Sequence, residues 1–143
     1  MNSIGFNILQ VRIAQFAFFE EHYDSSNEEF AVNTNIELKI NNDKHQIGLF
    51  LTIQFFQNEK LLIKSETGNH FVIEEKKWNE FKIENKVIIP KDFISHLAMI
   101  SVGSMRGVLV AKTENTSLSK LILPTLNVQK MFQKDVEFIL DNQ

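Results

Sequence analysis

The chain has 143 residues, no cysteine and a formal net charge of −3, from 15 basic and 18 acidic residues. The length is that of one typical domain, residues 1–143, large enough to bury about 70% of its unfolded surface. The lack of cysteine excludes disulfides, thiolate metal sites and a cysteine nucleophile. An acidic balance with two arginines, Arg12 and Arg106, argues against a nucleic-acid-binding protein.

The N-terminus shows no targeting signal, because it lacks a basic stretch followed by a long apolar stretch. No apolar run approaches the ~20 residues that a bilayer-spanning helix needs. We therefore expect a cytoplasmic protein that does not insert into membranes.

The first half of the chain alternates apolar and polar residues, which is typical of half-buried strands. The pattern predicts strands at about 7–20, 35–41, 46–57 and 61–74, with a bulge or kink at Gly68–Asn69. Polar tetrads at 41–44 and 57–60 predict hairpin turns and therefore an antiparallel meander. In the third strand both faces carry apolar residues, including Phe50 and Phe56, so its second face is expected to meet a partner or another subunit.

Past Glu74 the alternation stops. The charged run 75–77 is interpreted as a solvated turn, and Trp78, Phe81 and 87–89 as a connector packed on the domain. Pro90 suits the first turn of a helix, which the spacing extends to about Ala111. This helix contains Gly103 and Gly107, which indicate either a close contact with another element or a helix break.

A polar break at 113–117 is followed by an apolar segment, Leu118 and 121–123, which ends at Pro124. The apolar spacing then predicts a last helix from about Val128 to Leu140, interrupted by Asp135.

The sequence contains no recognisable catalytic, metal-binding or phosphate-binding motif. His22, His45, His70 and His96 lie outside any metal-ligand spacing, and the five glycines are too scattered for a phosphate loop. His70 near Glu66 is the one pair that could meet a small ligand, but a partly exposed strand histidine is the simpler interpretation. We therefore expect no enzyme activity, no metal and no cofactor, and an apolar binding role instead.

Several short segments, taken in order, resemble the SecB family of chaperones. The segment 68–71 resembles the family's Gly-Gly-aliphatic-Phe, and Ile88-Ile89-Pro90 resembles the aliphatic-Phe-Pro that opens its long helix. Met105-Arg106-Gly107 is similar to the Ser-Arg-Gly at the end of that helix, and Leu123-Pro124 through 127–132 to its Leu-Pro segment and final helix. The resemblance covers about 6–132.

The resemblance implies an α+β fold in which a four-stranded antiparallel sheet carries two helices on one face, and a homotetramer built as a dimer of dimers. It implies an ATP-independent holdase that binds unfolded polypeptides or preproteins in apolar grooves. The residues it places in the client groove are Ile36, Leu38, Ile40, Leu126, Val128, Met131 and Phe132. The residues it places at the interface between subunits are Ser101, Gly103, Ser104 and Gly107.

The family's acidic surface for the SecA motor has no equivalent here, since Gln15, Phe19 and Lys64 occupy the matching positions. The sequence also shows no long C-terminal tail beyond Gln143, a segment that in the family helps contact the motor. Docking to SecA is therefore doubtful. Two alternatives stay open: a SecB-like chaperone dedicated to the antitoxin of a toxin–antitoxin system, and a non-catalytic adaptor subunit that binds one folded partner.

Overall fold

The computed structural model describes residues 5–140. The first half forms an antiparallel sheet of four strands, β1 (Phe6–Phe18), β2 (Ala31–Asn41), β3 (Gln46–Gln57) and β4 (Lys60–Ile73). Their order in the sheet is β1-β4-β3-β2, so β1 and β2 are the edge strands. The predicted meander and both hairpin turns are confirmed. Asn58 and Glu59 have positive φ angles, as a two-residue hairpin turn requires.

The sheet has two faces of different character, because successive side chains point to opposite sides of a strand. One, the covered face, buries a continuous set of β3 side chains completely: Ile47, Leu49, Leu51, Ile53 and Phe55. The other, the open face, carries the alternate β3 residues Gly48, Phe50, Thr52, Gln54 and Phe56.

Two β-bulges lie in β1. Its pairing with β4 shifts register between Ile8 and Gln10 and again between Ile13 and Gln15. The predicted bulge at Gly68–Asn69 is wrong, since both residues pair in regular register with the strands on either side. The bulges in β1 keep its large apolar residues on the covered face although their numbering changes from even to odd and back: Ile8, Val11, Ile13, Phe16 and Phe18.

The segment after β4 is helical where a solvated turn was predicted. α1 (Glu75–Phe81) keeps its charged residues outside and buries Trp78 and Phe81. The indole N–H of Trp78 donates to Asn42 Oδ1 over 2.8 Å, which ties α1 to the β2–β3 turn. Two short strands follow, β5 (Lys82–Ile83) and β6 (Lys86–Ile89). The interpretation of this stretch as a connector packed on the domain holds, with Val87 and Ile89 buried.

α2 (Lys91–Thr113) is one uninterrupted helix of 23 residues that lies over the two central strands, β3 and β4. Gly103 and Gly107 sit inside it, so the predicted alternative of a helix break is wrong. By length and hydropathy α2 could cross a membrane. One face of it belongs to the core of the described structure, through Ile94, Ser95, Leu97, Ala98, Ser101, Val102, Met105, Leu109 and Thr113.

The predicted last helix is wrong over most of its length. After a 3₁₀ turn at Ser117–Lys120, α3 spans Val128–Met131, and the chain then forms β7 (Val136–Ile139) on β6. β5, β6 and β7 make a second, three-stranded sheet. Asp135, which interrupted the predicted helical stripe, accepts from the backbone N–H of Lys91 over 2.9 Å at the start of α2. The short helix α1, the long helix α2 and the single turn α3, rather than two long helices, therefore accompany the four-stranded sheet.

Candidate functional site

The β2 edge of the covered face carries a row of half-buried apolar side chains. Ile36, Leu38 and Ile40 lie opposite Leu51, Leu49 and Ile47 of β3, which places them on the covered face. Each stays partly accessible while packing against the core. The residues between them, such as Glu37 and Lys39, are exposed on the open face. The sequence assigned this row correctly to one face, and we call it the groove row.

The second set of predicted groove residues lies on residues 121–132, which run beside α2 and which we call the return segment. Leu126 and Phe132 are half-buried against the same core as the groove row, and Met131 is 40% exposed. Val128 differs, because it is 5% exposed and belongs to the core itself. In this conformation Val128 is not available to a ligand, a correction to its predicted place in the groove.

Arg106 fixes the return segment to α2. Its Nε atom donates to the carbonyl of Leu123 over 3.3 Å, and Nη2 donates to the carbonyl of Pro124 over 2.9 Å. Two charge-assisted bonds to backbone carbonyls set the position of the Leu-Pro turn. The half-buried residues that follow it are thereby held alongside the helix.

The β1 edge carries a second apolar row, which the sequence analysis did not single out as a site. Ile8, Val11, Ile13 and Phe18 lie on the covered face but beyond the reach of α2, with 42–52% of their surface exposed. We call these four residues the edge row. Among residues 5–140, β1 pairs with β4 alone, so its outer backbone groups are also free. An apolar edge of this length invites pairing with another chain.

The outward face of α2 is made of small and apolar residues. A Cβ atom placed on Gly103 or Gly107 would meet no other atom within 4 Å, and Met99 and Val110 nearby are 57% and 62% exposed. Ser101, predicted at a subunit interface, is instead buried inside the chain, where its hydroxyl donates to the Leu97 carbonyl over 2.9 Å.

Ser104 is half-buried and its hydroxyl donates to the Ile100 carbonyl over 3.2 Å. Of the four predicted interface residues, Gly103, Ser104 and Gly107 are therefore accessible to a second copy. The close helix contact that their small size would permit does not occur within the described chain.

Two titratable groups of the described residues, Asp24 and His70, have a lowered pKa. No group of three or more His, Asp or Glu side chains within residues 5–140 could hold a metal ion. The Ser26 hydroxyl and backbone N–H donate to Asp24 and hold the pKa of its carboxyl below the ordinary value. Burial, with a smaller contribution from the nearby Arg12, lowers the pKa of His70 on the open face.

No protein-family model and no curated protein matches the chain. Among solved structures, the SecB-like chaperone Rv1957 of Mycobacterium tuberculosis, in complex with a ChAD peptide from the HigA1 antitoxin, matches with a TM-score of 0.62. The match covers 86% of this chain and 91% of that one, at 10% sequence identity. A protein of unknown function from Streptococcus agalactiae matches over 87% of this chain at 12% identity. Its TM-score of 0.47 is too low to support a shared fold.

The chain therefore has a SecB-like α+β fold with a four-stranded antiparallel sheet. At 10% identity the likeness concerns the fold alone.

Proposed function

We propose that this protein is an ATP-independent chaperone that binds non-native polypeptides in an apolar groove along the β2 edge of its covered face. The observation that carries the proposal is the groove row, since three aliphatic side chains stay half-buried where a monomeric domain would close its core. Contiguous exposed apolar surface marks sites for other polypeptides.

The groove suits an extended, unfolded chain better than a folded surface. The row follows one strand, so its side chains repeat at about 6.8 Å, the same spacing as alternate residues of an extended client. Leu126, Met131 and Phe132 of the return segment are the further apolar side chains that we assign to the client site. Such a surface selects apolar character and does not read a particular sequence.

We also propose that the protein assembles as a homotetramer. The edge row would be covered by β1 of a second copy, and the outward face of α2, with Gly103, Ser104 and Gly107, would pack on another pair. Small residues let two helix backbones approach closely, which would offset the roughly 1 kcal/mol that each helical glycine costs relative to alanine. Docking to SecA is not part of the proposal, because Lys64 and Gln15 lie on the open face where acidic residues would be needed.

The test replaces the apolar groove row by polar side chains. We expect the double variant Leu38→Ser/Ile40→Ser to bind a denatured, slowly folding preprotein at least about tenfold more weakly, with the oligomer mass unchanged. The matched control is Asn33→Ser/Asn35→Ser, two exposed open-face positions of the same strand. The measurement is co-elution with the client on a sizing column with light-scattering detection, with the folded client as a further control.

Unchanged client binding by the Leu38→Ser/Ile40→Ser variant would mean that clients bind elsewhere. Circular dichroism and the oligomer mass show whether weakened binding reflects lost groove contacts or loss of the fold.

A dedicated antitoxin chaperone is the second candidate, favoured by the antitoxin peptide bound to the M. tuberculosis structure. It predicts one tight client instead of a broad range of unfolded chains. Affinity capture on the wild-type protein separates the candidates: many unfolded proteins support the general chaperone, one antitoxin supports the dedicated form, and one folded partner supports a non-catalytic adaptor.

A further inference from the structure

The centre of the open face is built around two glycines on neighbouring strands. The register places Arg12 of β1, Gly68 of β4 and Phe50 of β3 in one row across the sheet. The adjacent row contains His70 of β4 and Gly48 of β3. Glycine weakens a strand interior, and its presence often marks a place where another group must approach the backbone closely.

The side chains of the two rows lie over the glycines. A Cβ atom on Gly68 would stand 3.3 Å from Arg12 Nε, from His70 Nε2 and from Phe50 Cε1. A Cβ atom on Gly48 would stand 3.2 Å from Phe50 Cε2. The rings of Phe50 and His70 meet edge to face, with centroids 5.6 Å apart. The glycines thus make room for a guanidinium and an imidazole side by side on an aromatic base.

One shielded polar atom of this arrangement has no hydrogen-bond partner within residues 5–140. His70 Nε2 is shielded from solvent and has no hydrogen-bond partner among the described residues. None of the ion pairs within residues 5–140 includes Arg12. A shielded ring nitrogen without a partner is unfavourable, and a carboxylate could accept from it and from the exposed guanidinium of Arg12 beside it.

Charges around the pair favour a carboxylate over a phosphate. The charged groups that share the open face are Arg12, Lys39, Lys64, Glu37 and Glu66. Their net charge is +1, whereas the other residues of the chain together carry a net charge of −4, which gives the total of −3. The single arginine can pair with one carboxylate. A nucleic acid, with its many phosphates, would be repelled by the two glutamates of this face and by the negative net charge of the molecule. Lys39, whose Nζ lies 5.2 Å from the centre of the Phe50 ring, offers a second cation for a neighbouring acidic residue.

We propose that Arg12 and His70, above Gly68, bind a carboxylate side chain of an acidic polypeptide that docks on the open face. This inference goes beyond the proposed function, because the groove row lies on the covered face. The partner is an extended acidic segment, with one carboxylate on Arg12 and His70 and a second near Lys39. The two faces of the sheet then bind different partners, an acidic segment on the open face and apolar clients on the covered face.

Binding should take up a proton. Burial and Arg12 lower the pKa of free His70, whereas a bound carboxylate favours its charged form. Binding therefore tightens as the pH falls from 7.5 to 6. No other histidine shares the open face within the described strands: the charged groups facing His70 are those of β1, β2 and β4 named above.

The probe is a 12-residue labelled peptide of alternating Glu and Ser, compared with the Gln-Ser peptide of the same length. We expect the Glu-Ser peptide to bind at 50 mM salt and to shift the His70 ring resonances, and Arg12→Gln to weaken binding at least about tenfold. The matched control is Lys44→Gln, which removes one positive charge at the exposed β2–β3 turn. His70→Gln should abolish the pH dependence.

Equal binding of the Glu-Ser and Gln-Ser peptides would overturn the proposal, as would equal effects of Arg12→Gln and Lys44→Gln. Tighter binding of a 12-nucleotide oligo-dT than of the Glu-Ser peptide would overturn it as well. Binding of denatured preprotein by each variant is measured in parallel. Its retention shows that the covered face works independently of the open face.

Discussion

Gln57 fixes the long loop between β1 and β2 to the sheet. Its side chain is buried, and Oε1 accepts from the backbone N–H of Asp24 over 2.7 Å. Nε2 donates to the carbonyls of Asp24 and Asn27 over 3.1 and 2.9 Å. One amide thus replaces the backbone partners that a loop of this length would otherwise lack.

Replacing Gln57 by leucine should therefore destabilise the protein by about 1–3 kcal/mol, because several loop groups lose their partner in a partly buried place. The control is Gln54→Leu, on the open face of the same strand, which should change stability by less than about 0.5 kcal/mol. Urea unfolding measures both, and hydrogen exchange should rise selectively at 24–29. Equal effects of the two substitutions would show that Gln57 does not anchor the loop.

Individual side chains were the least predictable level of the site. The shared face of Ile36, Leu38 and Ile40 followed from alternation, since a strand with one covered face fixes the direction of each side chain. Val128 and Ser101 were assigned to surfaces but lie in the core. A resemblance places a residue on an element, whereas its rotation about the helix axis depends on packing that the sequence does not state.

At the scale of elements, the strands were predictable and the C-terminal segment was not. The apolar residues of β1 are spaced by 2, 3, 2, 3 and 2 positions from Phe6 to Phe18, a pattern that indicates the two bulges once it is read in this way. The segment Val136–Ile139 fits a helical stripe and a strand equally well. Pairing with β6 decides in favour of β7, and that partner is distant in sequence.

The helix α2 allows a test that separates folding from assembly. Alanine at Gly103 and Gly107 would meet no atom in the single chain, so each substitution should stabilise the helix by about 0.5–1 kcal/mol. In the proposed tetramer the same methyl groups would separate two closely packed helices. We therefore expect Gly103→Ala/Gly107→Ala to raise the stability of the protomer and to lower the oligomer mass.

Urea unfolding at low concentration and light scattering at high concentration measure the two effects. Alanine at Lys112, exposed near the end of α2, serves as a control for helix propensity alone. An unchanged mass would place the subunit contact away from the outward face of α2.

At the scale of the whole molecule, the edge row predicts how subunits join. Ile13 is 45% exposed in the single chain, so a lysine there should be nearly neutral for folding. If a second copy covers β1, the same lysine would bury an unpaired charge and divide the assembly. We expect Ile13→Lys to lower the mass measured by light scattering, while Gln15→Lys, on the open face of β1, leaves it unchanged. An unchanged mass for Ile13→Lys would place the subunit contact away from the edge row.

The strand order also bears on how the protein is made. β1 is the first strand to leave the ribosome, but its partner β4 ends at Ile73, 55 residues after Phe18 (73 − 18). At a synthesis rate of roughly 5–20 residues per second, β1 waits about 3–11 s for the strand on which it pairs. During that interval the nascent chain presents an extended, alternating apolar segment with an unpaired backbone, the same kind of polypeptide that the finished protein is proposed to bind. A completed copy could therefore receive the beginning of the next one, and the cell's supply of this protein would depend in part on the molecules already folded.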